Sequence, residues 1–213
     1  MNLEKYGIKP NPLLDQSFMA DKELIERIVK AAGIKSGETV LEIGFGTGYC
    51  LVEIAKRVGT AGKAYGIDVT PEMVGLARRR LEKEGLAERV ELYQGDARET
   101  PYENRQFDAV YMAAALELFD TPDIPKVLAE IKRVLRPTGR LGVISMPKEG
   151  HENSITLRFY ERMHRAFPRY ASCRPIYVED SVSGAGFEII KAEEVMLGGL
   201  FPMKIVMARS VSS

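Results

Sequence analysis

Glycines at three alternate positions, Gly44, Gly46 and Gly48, follow an apolar run carrying one acid, Glu42, in the stretch VLEIGFGTG from Val40 to Gly48. Residues without side chains let backbone N–H groups approach a ligand, and a helix starting just after them adds unpaired donors and a positive partial charge. The pattern is G-x-G-x-G, because position 49 is tyrosine. Two further acids stand where strands should end. Asp68 closes KAYGID, at the place where nucleotide-binding α/β folds put a carboxylate on a ribose diol, and Asp96 sits in Gly95-Asp96-Ala97. Taken singly, Asp68 or Asp96 could cap a turn, and Glu42 could pair with a basic side chain. Together with the glycine loop they are a much more specific sign of a nucleotide-binding α/β fold.

The elements that must position these residues can be read from periodicity. Thr39, Val40, Leu41 and Ile43 suit a strand buried on both faces, and Tyr49–Val58 has Leu51, Ile54, Ala55 and Val58 at helical spacing. Strands are expected at Lys63–Asp68, Val90–Gln94, Phe107–Met112 and Arg140–Met146. Between them, Thr70 and Pro71 open a helix with Val74, Ala77 and Leu81 inward. Thr121 and Pro122 cap another that reaches Leu135 and is stopped by Pro137 and Gly139. Strict alternation of strand and helix specifies a doubly wound parallel sheet. The ending departs from it, since Phe187–Met196 and Met203–Arg209 are strand-like runs whose connection is too short for a helix and should pair antiparallel. Ahead of the first strand, residues 1–18 read as an extended arm, and Lys22–Gly33, capped by Asp21, as an amphipathic helix.

The chain resembles the class I S-adenosylmethionine-dependent methyltransferases, and within them the small enzymes of ubiquinone and menaquinone biosynthesis. VLEIGFGTG, the strand end at Asp68, GDA at 95–97 and VLRPTGRL at 134–141 carry the resemblance, which covers Ser36–Met146 well and Ala185–Arg209 more loosely. It implies one Rossmann-like domain over residues 1–213, a seven-stranded sheet, mostly parallel with an antiparallel C-terminal hairpin strand, and S-adenosyl-L-methionine as cofactor. It also implies roles. Gly44, Gly46 and Gly48 pass close to the cofactor, Glu42 sets its methionine end, Asp68 takes the ribose hydroxyls, and Asp96 with the Ala97 backbone meets the adenine amine. Thr47, Val69, Met73, Gly95 and Met112 are expected beside them as cofactor-binding or wall residues.

On the acceptor side, Tyr111–Phe119 follows the fourth strand and should line the pocket with Met112, Ala113 and Glu117. Glu117 could accept a proton or face the sulfonium, or cap a helix. The two histidines, His151 and His164, lie in a segment, residues 148–183, that falls outside the resemblance and is expected to form a helical insertion over the acceptor site. Either could serve a phenol as general base or simply sit at the surface; of the two, His164 is taken as the candidate, beside Glu117. Within the insertion, Ile155, Phe159, Met163 and Phe167 recur every four residues, a stripe expected to be buried either as core or as a lid. Methyl transfer from a sulfonium needs proximity and alignment rather than a protein nucleophile. The expected reaction is O- or C-methylation of a small apolar or aromatic, phenol- or quinone-like acceptor. N-methylation of a lipid headgroup or amine is the alternative. A nicotinamide-dependent oxidoreductase would share the glycine loop and the ribose acid, but no Tyr-x-x-x-Lys occurs; a noncatalytic cofactor-binding subunit is the third reading.

Composition narrows the partners. The 213 residues suit one domain burying about 70% of its unfolded surface. Thirty Lys and Arg balance thirty Asp and Glu, so no overall field favours nucleic acid. Cys50 and Cys173 form no C-x-x-C and give no zinc signature, as suits a reducing compartment. No set of acids matches a metal-dependent catechol-type site, and no metal is expected. No stretch of ~20 apolar residues could span a membrane, and a cytoplasmic location is expected. The oligomeric state is not legible.

Overall fold

The computed structural model describes residues 25–26, 29–30, 33–166, 173–197 and 201–211. Its elements in order are β1 (Thr39–Ile43), α1 (Tyr49–Val58), β2 (Lys63–Asp68), α2 (Pro71–Lys83), β3 (Val90–Gln94), β4 (Phe107–Ala113), α3 (Ile124–Val134), β5 (Leu135–Ser145), α4 (Ile155–Ala166), α5 (Val178–Gly184), β6 (Phe187–Leu197) and β7 (Phe201–Ser210). Ile25, Glu26, Val29 and Lys30 are helical, and Ile25 and Val29 are buried. The arm over 1–18, the cap at Asp21, most of the helix after it, and Phe167 lie outside the described residues.

Seven strands form one sheet in the order β3-β2-β1-β4-β5-β7-β6. β1 pairs in parallel with β2 and β4, β2 with β3, and β4 with β5. β7 runs antiparallel to both β5 and β6, as the short connection requires. Each strand feeds two cores, because successive side chains point to opposite faces. Val40, Ala109, Tyr111 and Ile144 meet Leu51, Ile54, Ala77 and Leu81 of α1 and α2 on one face. Leu41, Ile43, Val110, Met112 and Val143 meet Val127, Leu128 and Ile131 of α3 and Val178 and Val182 of α5 on the other.

Three sequence expectations need correction. The α3–β5 boundary falls at Leu135: α3 ends at Val134, and β5 takes up Leu135 and the Pro137–Gly139 stretch read as helix stop and turn. The register allows it, shifting between Phe107 and Ala109 so that Leu135 pairs with Phe107 and Arg140 with Ala109. The residues between are looped out of the ladder, where a proline without an N–H costs no strand bond. Second, the capping residue of α3 is Asp123, with Pro125 in the first turn, rather than Thr121. Third, the stripe on α4 is not buried along its length. Phe159 is 65% and Ile155 84% exposed, while Leu157 is the buried residue and Tyr160 packs partly against the α1 and α2 core. Periodicity located the helix, but only its packing decides which stripe faces inward. The seven-residue helix α5, with Val178 and Val182 one turn apart, was too short to stand out.

Candidate functional site

The glycine loop leaves β1 at the point where chain order reverses, between β1 and β4, with β2 on one side and β4 on the other. In open α/β sheets ligands bind at such a switch point, beyond the carboxyl ends of the strands. Gly44, Gly46 and Gly48 have φ of 70, 51 and 85°, conformations that L side chains rarely adopt. Space is closed to side chains as well. A Cβ on Gly44 would stand 2.6 Å from the Ala115 Cβ, and one on Gly48 2.9 Å from the Ala77 Cβ. Gly44 and Gly48 are therefore required by both backbone and packing, and Gly46 by its backbone.

Asp68 holds this loop. Its Oδ2 accepts from the Gly46 N–H at 3.0 Å and its Oδ1 from the Thr70 N–H at 2.9 Å. Gly44 N–H donates to the Ile67 carbonyl and Gly95 N–H to the Asp68 carbonyl, so the ends of β1, β2 and β3 are stitched side by side. A carboxylate oxygen has two lone-pair directions, so each can accept more than one hydrogen bond. Arg80 braces the loop from outside: its Nε donates to the Thr47 carbonyl at 2.8 Å and its guanidinium lies 3.3 Å from the centre of the Tyr49 ring. Arg78 and Arg79, the two residues before it on α2, stay exposed. Sequence reasoning missed Arg80; the tyrosine at position 49, with an arginine on the adjacent helix, is the signal in hindsight.

A small cleft, open to solvent, lies against the loop, lined by Glu42, Gly44, Phe45, Thr47, Tyr49, Cys50 and Ala113. Glu42, Gly44, Thr47 and Ala113 were expected there, whereas Phe45, Tyr49 and Cys50 were not. Glu42 and Thr47 are both almost fully buried. Met112 does not line it. With no exposed surface, it belongs to the core under α3, because the two-residue strand period sends Tyr111 and Ala113 to the cavity face and Met112 to the other. Met73 is likewise buried in the core with Ala77 and Phe45, and Val69 is half-buried just past β2.

Asp96, Gly95 and Ala97 follow β3 as expected, with Ala97 buried. The Asp96 carboxylate is gripped by Arg98, whose Nη2 lies 2.6 Å from Oδ2 and whose backbone N–H donates to Oδ1 at 2.9 Å. Arg98 also reaches Asp123 at 2.7 Å, tying the loop after β3 to the start of α3. Burial pushes the Asp96 pKa up, but the side-chain and backbone hydrogen bonds from Arg98 outweigh it, and the carboxyl sits below its ordinary value.

Beyond β4 the chain turns sharply. Ala114 is left-handed at φ 50°, with its N–H on the Ile144 carbonyl, and this swings Ala115 against Gly44. A short 3-10 turn, Leu116–Leu118, then carries Glu117 into the interior, where it is 1% exposed. Its Oε2 accepts from the Ser145 hydroxyl at 2.8 Å and its Oε1 faces the Met146 N–H at 3.4 Å. Desolvation dominates and pushes its pKa up to about 7, against the opposing effect of these hydrogen bonds and of the Arg174 charge. Arg174, half-buried, donates to the Phe119 carbonyl at 2.8 Å. Tyr160 of α4 sits at an edge-to-face distance of 5.9 Å from Phe201, and burial, then the Cys173 and Glu117 charges, raises its pKa. His164, half-buried, lies one turn after Tyr160. His151 is elsewhere, its Nε2 3.0 Å from the Glu194 carboxylate on β6.

A family model described as methyltransferase domain matches residues 40–139, the span from the start of the glycine loop to the turn within β5. A demethylmenaquinone methyltransferase of Lactobacillus johnsonii is 32% identical over 155 residues, 73% of this chain and 62% of that one. A 2-phytyl-1,4-naphtoquinone methyltransferase of Trichormus variabilis is 28% identical over 62% of this chain and 57% of its own. A SAM-dependent methyltransferase from Aquifex aeolicus superposes with a TM-score of 0.72 at 28% identity, over 95% of this chain and 100% of that structure. Over residues 40–139 the chain matches the methyltransferase domain family, and over nearly its whole length it is similar to an S-adenosylmethionine-dependent methyltransferase. It spans about 60% of the length of the curated relatives it matches. The residues present fit the cofactor of that family: a side-chain-free loop closed against Ala115 and Ala77, and a carboxylate at the end of β2. No group of three His, Cys, Asp or Glu able to hold a metal ion occurs among the described residues, and no helix among them is long and apolar enough to cross a membrane.

Proposed function

We propose that this chain moves a methyl group from S-adenosylmethionine to an oxygen or carbon of a small phenol- or quinol-like acceptor, with Glu117 taking the acceptor's proton. The observation that carries the reading is the buried Glu117 carboxyl, poised near neutral pH in the same turn whose Ala115 packs on the glycine loop. A phenol is a poor nucleophile until its O–H proton leaves, and a base is most effective when its pKa lies near the working pH. Bound against the loop, the cofactor supplies an electrophilic methyl on a positively charged sulfur. Asp68 takes the ribose hydroxyls, Gly44 and Gly46 let the backbone approach, Asp96 with Ala97 borders the adenine, and Glu42 and Thr47 border the methionine end. Ser145 and the Met146 N–H fix the Glu117 carboxyl in place, and Tyr160 of α4, edge-to-face with Phe201 of β7, is near enough to feel the Glu117 charge. Relatives with quinones in their names support an acceptor of that kind.

The test is calorimetry with S-adenosylmethionine, S-adenosylhomocysteine and NADH, followed by a labelled-methyl screen over quinols, phenols, amines and lipids. Binding of the first two but not NADH, and label on a quinol or phenol, is the expected result. Label on amines or lipid headgroups alone would replace the acceptor assignment, and binding of NADH alone would overturn the reaction.

A further inference from the structure

The outward face of α4 is chemically unlike the rest of the surface. At 100° per residue, positions 155, 159, 162 and 166 share its outermost stripe, with 158 and 165 on one flank and 156 and 163 on the other. That places Ile155 and Phe159, 84% and 65% exposed, beside Arg158, Arg162 and Arg165, all exposed. No arginine of the three has an ion-pair partner among the described residues, and the face holds no acid. Glu161 lies below the Arg158 and Arg165 flank, at the border of the inward side, and is paired with Lys148 at 2.8 Å, and Glu152 lies in the turn before the helix. The inward side, Leu157 with Tyr160, anchors the helix to the protein.

We propose that this face is a docking surface for an anionic phospholipid bilayer, with Ile155 and Phe159 entering the headgroup boundary and Arg158, Arg162 and Arg165 on the phosphates. Charge complementarity selects this occupant. Three unpaired guanidinium groups interleaved with apolar side chains on a convex helix match an interface that presents negative charge and hydrocarbon at adjacent depths. A folded protein partner would need more: the face is one side of a 12-residue helix, about 18 Å long, too little for an interface of standard size. The proposal stands without the assignment of the acceptor. Binding to vesicles is read with neither cofactor nor acceptor present, so its failure leaves the methyl-transfer reading untouched and the reverse holds too.

The experiment is co-sedimentation of the purified chain with sucrose-loaded vesicles of equal parts phosphatidylglycerol and phosphatidylcholine, and with phosphatidylcholine alone. Binding is expected to the anionic vesicles only, and to weaken when salt is raised from about 0.05 to 0.3 M. Arg158→Gln with Arg162→Gln should weaken it about tenfold or more, and Phe159→Ser should reduce it at least severalfold. Ile190→Ser, which alters an equally exposed apolar residue on β6, should leave it unchanged. Melting curves confirm that each variant is folded, which the exposure of all these side chains favours. No binding by the parent chain, equal binding to neutral vesicles, or variants without effect would overturn the proposal. So would a concentration-dependent dimer that Phe159→Ser abolishes in the absence of vesicle binding, which would make the face a self-interface.

Discussion

As the proposed base, Glu117 would couple stability and activity to pH in opposite directions. Its folded pKa of about 7 lies above the ordinary 4.5, so between those values the unfolded chain releases a proton that the folded chain keeps. Stability is full below about 4.5 and falls as pH rises to about 7, by on the order of 3 kcal/mol if desolvation is the sole cause. Denaturant melts of the parent and of Glu117→Gln at pH 5 and 8 check this: the parent should lose stability across the interval and the variant should lose much less. Turnover should instead rise through pH 7, as the base ionises, and Glu117→Gln should cost about a hundredfold or more. At Asp68 the conservative change is the informative one. Asp68→Asn replaces one acceptor with an N–H₂ that must face either the Gly46 or the Thr70 N–H. Loss of a charged acceptor for the ribose and a loosened loop act together, so S-adenosylmethionine affinity should drop at least about tenfold, since each such hydrogen bond is worth ~1.5 to 3 kcal/mol. Unchanged affinity by calorimetry in a folded variant would leave Asp68 a purely structural role.

Between β1 and α1 the loop is held by shape. Gly48 sits at φ 85° as the residue before α1, with the Ala77 Cβ and Cα of α2 close by. Gly48→Ala must strain the backbone and push α1 from α2 together, a loss of roughly 1 to 3 kcal/mol in thermal or urea denaturation with weakened cofactor binding. On α4 the reverse is expected. Phe159 has little contact to lose, so Phe159→Ala should change stability by less than about 0.5 kcal/mol, against the ~3 to 5 kcal/mol of a buried phenylalanine. A larger loss in chemical denaturation would mean that the ring packs against something in the folded protein.

The sheet brings distant parts of the chain to one edge, where the proposed site lies: the loop after β1, the acid ending β2, the GDA turn after β3, the Glu117 turn after β4 and Ser145 at the end of β5. Because a ligand bound there touches several strand ends in the folded state and none in the unfolded one, binding stabilises the whole domain. S-adenosylmethionine at a hundred times its Kd adds about 2.7 kcal/mol, a rise of roughly 5 to 10 °C in Tm for a domain of this size. NADH at the same concentration should give no rise. Differential scanning fluorimetry reads both, and a larger shift with NADH would contradict the site as described.

What the sequence determined by itself was local or strictly periodic. The glycine loop, both strand-end acids, the boundaries of β1, α1, β2 and β3, and the reversed hairpin could be read because φ, N–H availability and side-chain period are properties of short segments. Tertiary structure decided what depends on facing partners. It sent Met112 into the core while its neighbour Ala113 took the cavity wall, since which face of a strand meets the ligand is set by the sheet and not by the strand. It made Asp68, expected as a ribose contact, the post that holds Gly46, and it set Arg80 against the Thr47 carbonyl as a brace. It buried Glu117 and thereby raised its pKa, an effect of desolvation that no neighbour in sequence supplies. It also left Phe159 facing outward, because a helix with apolar residues on two stripes can bury only the one that meets the domain.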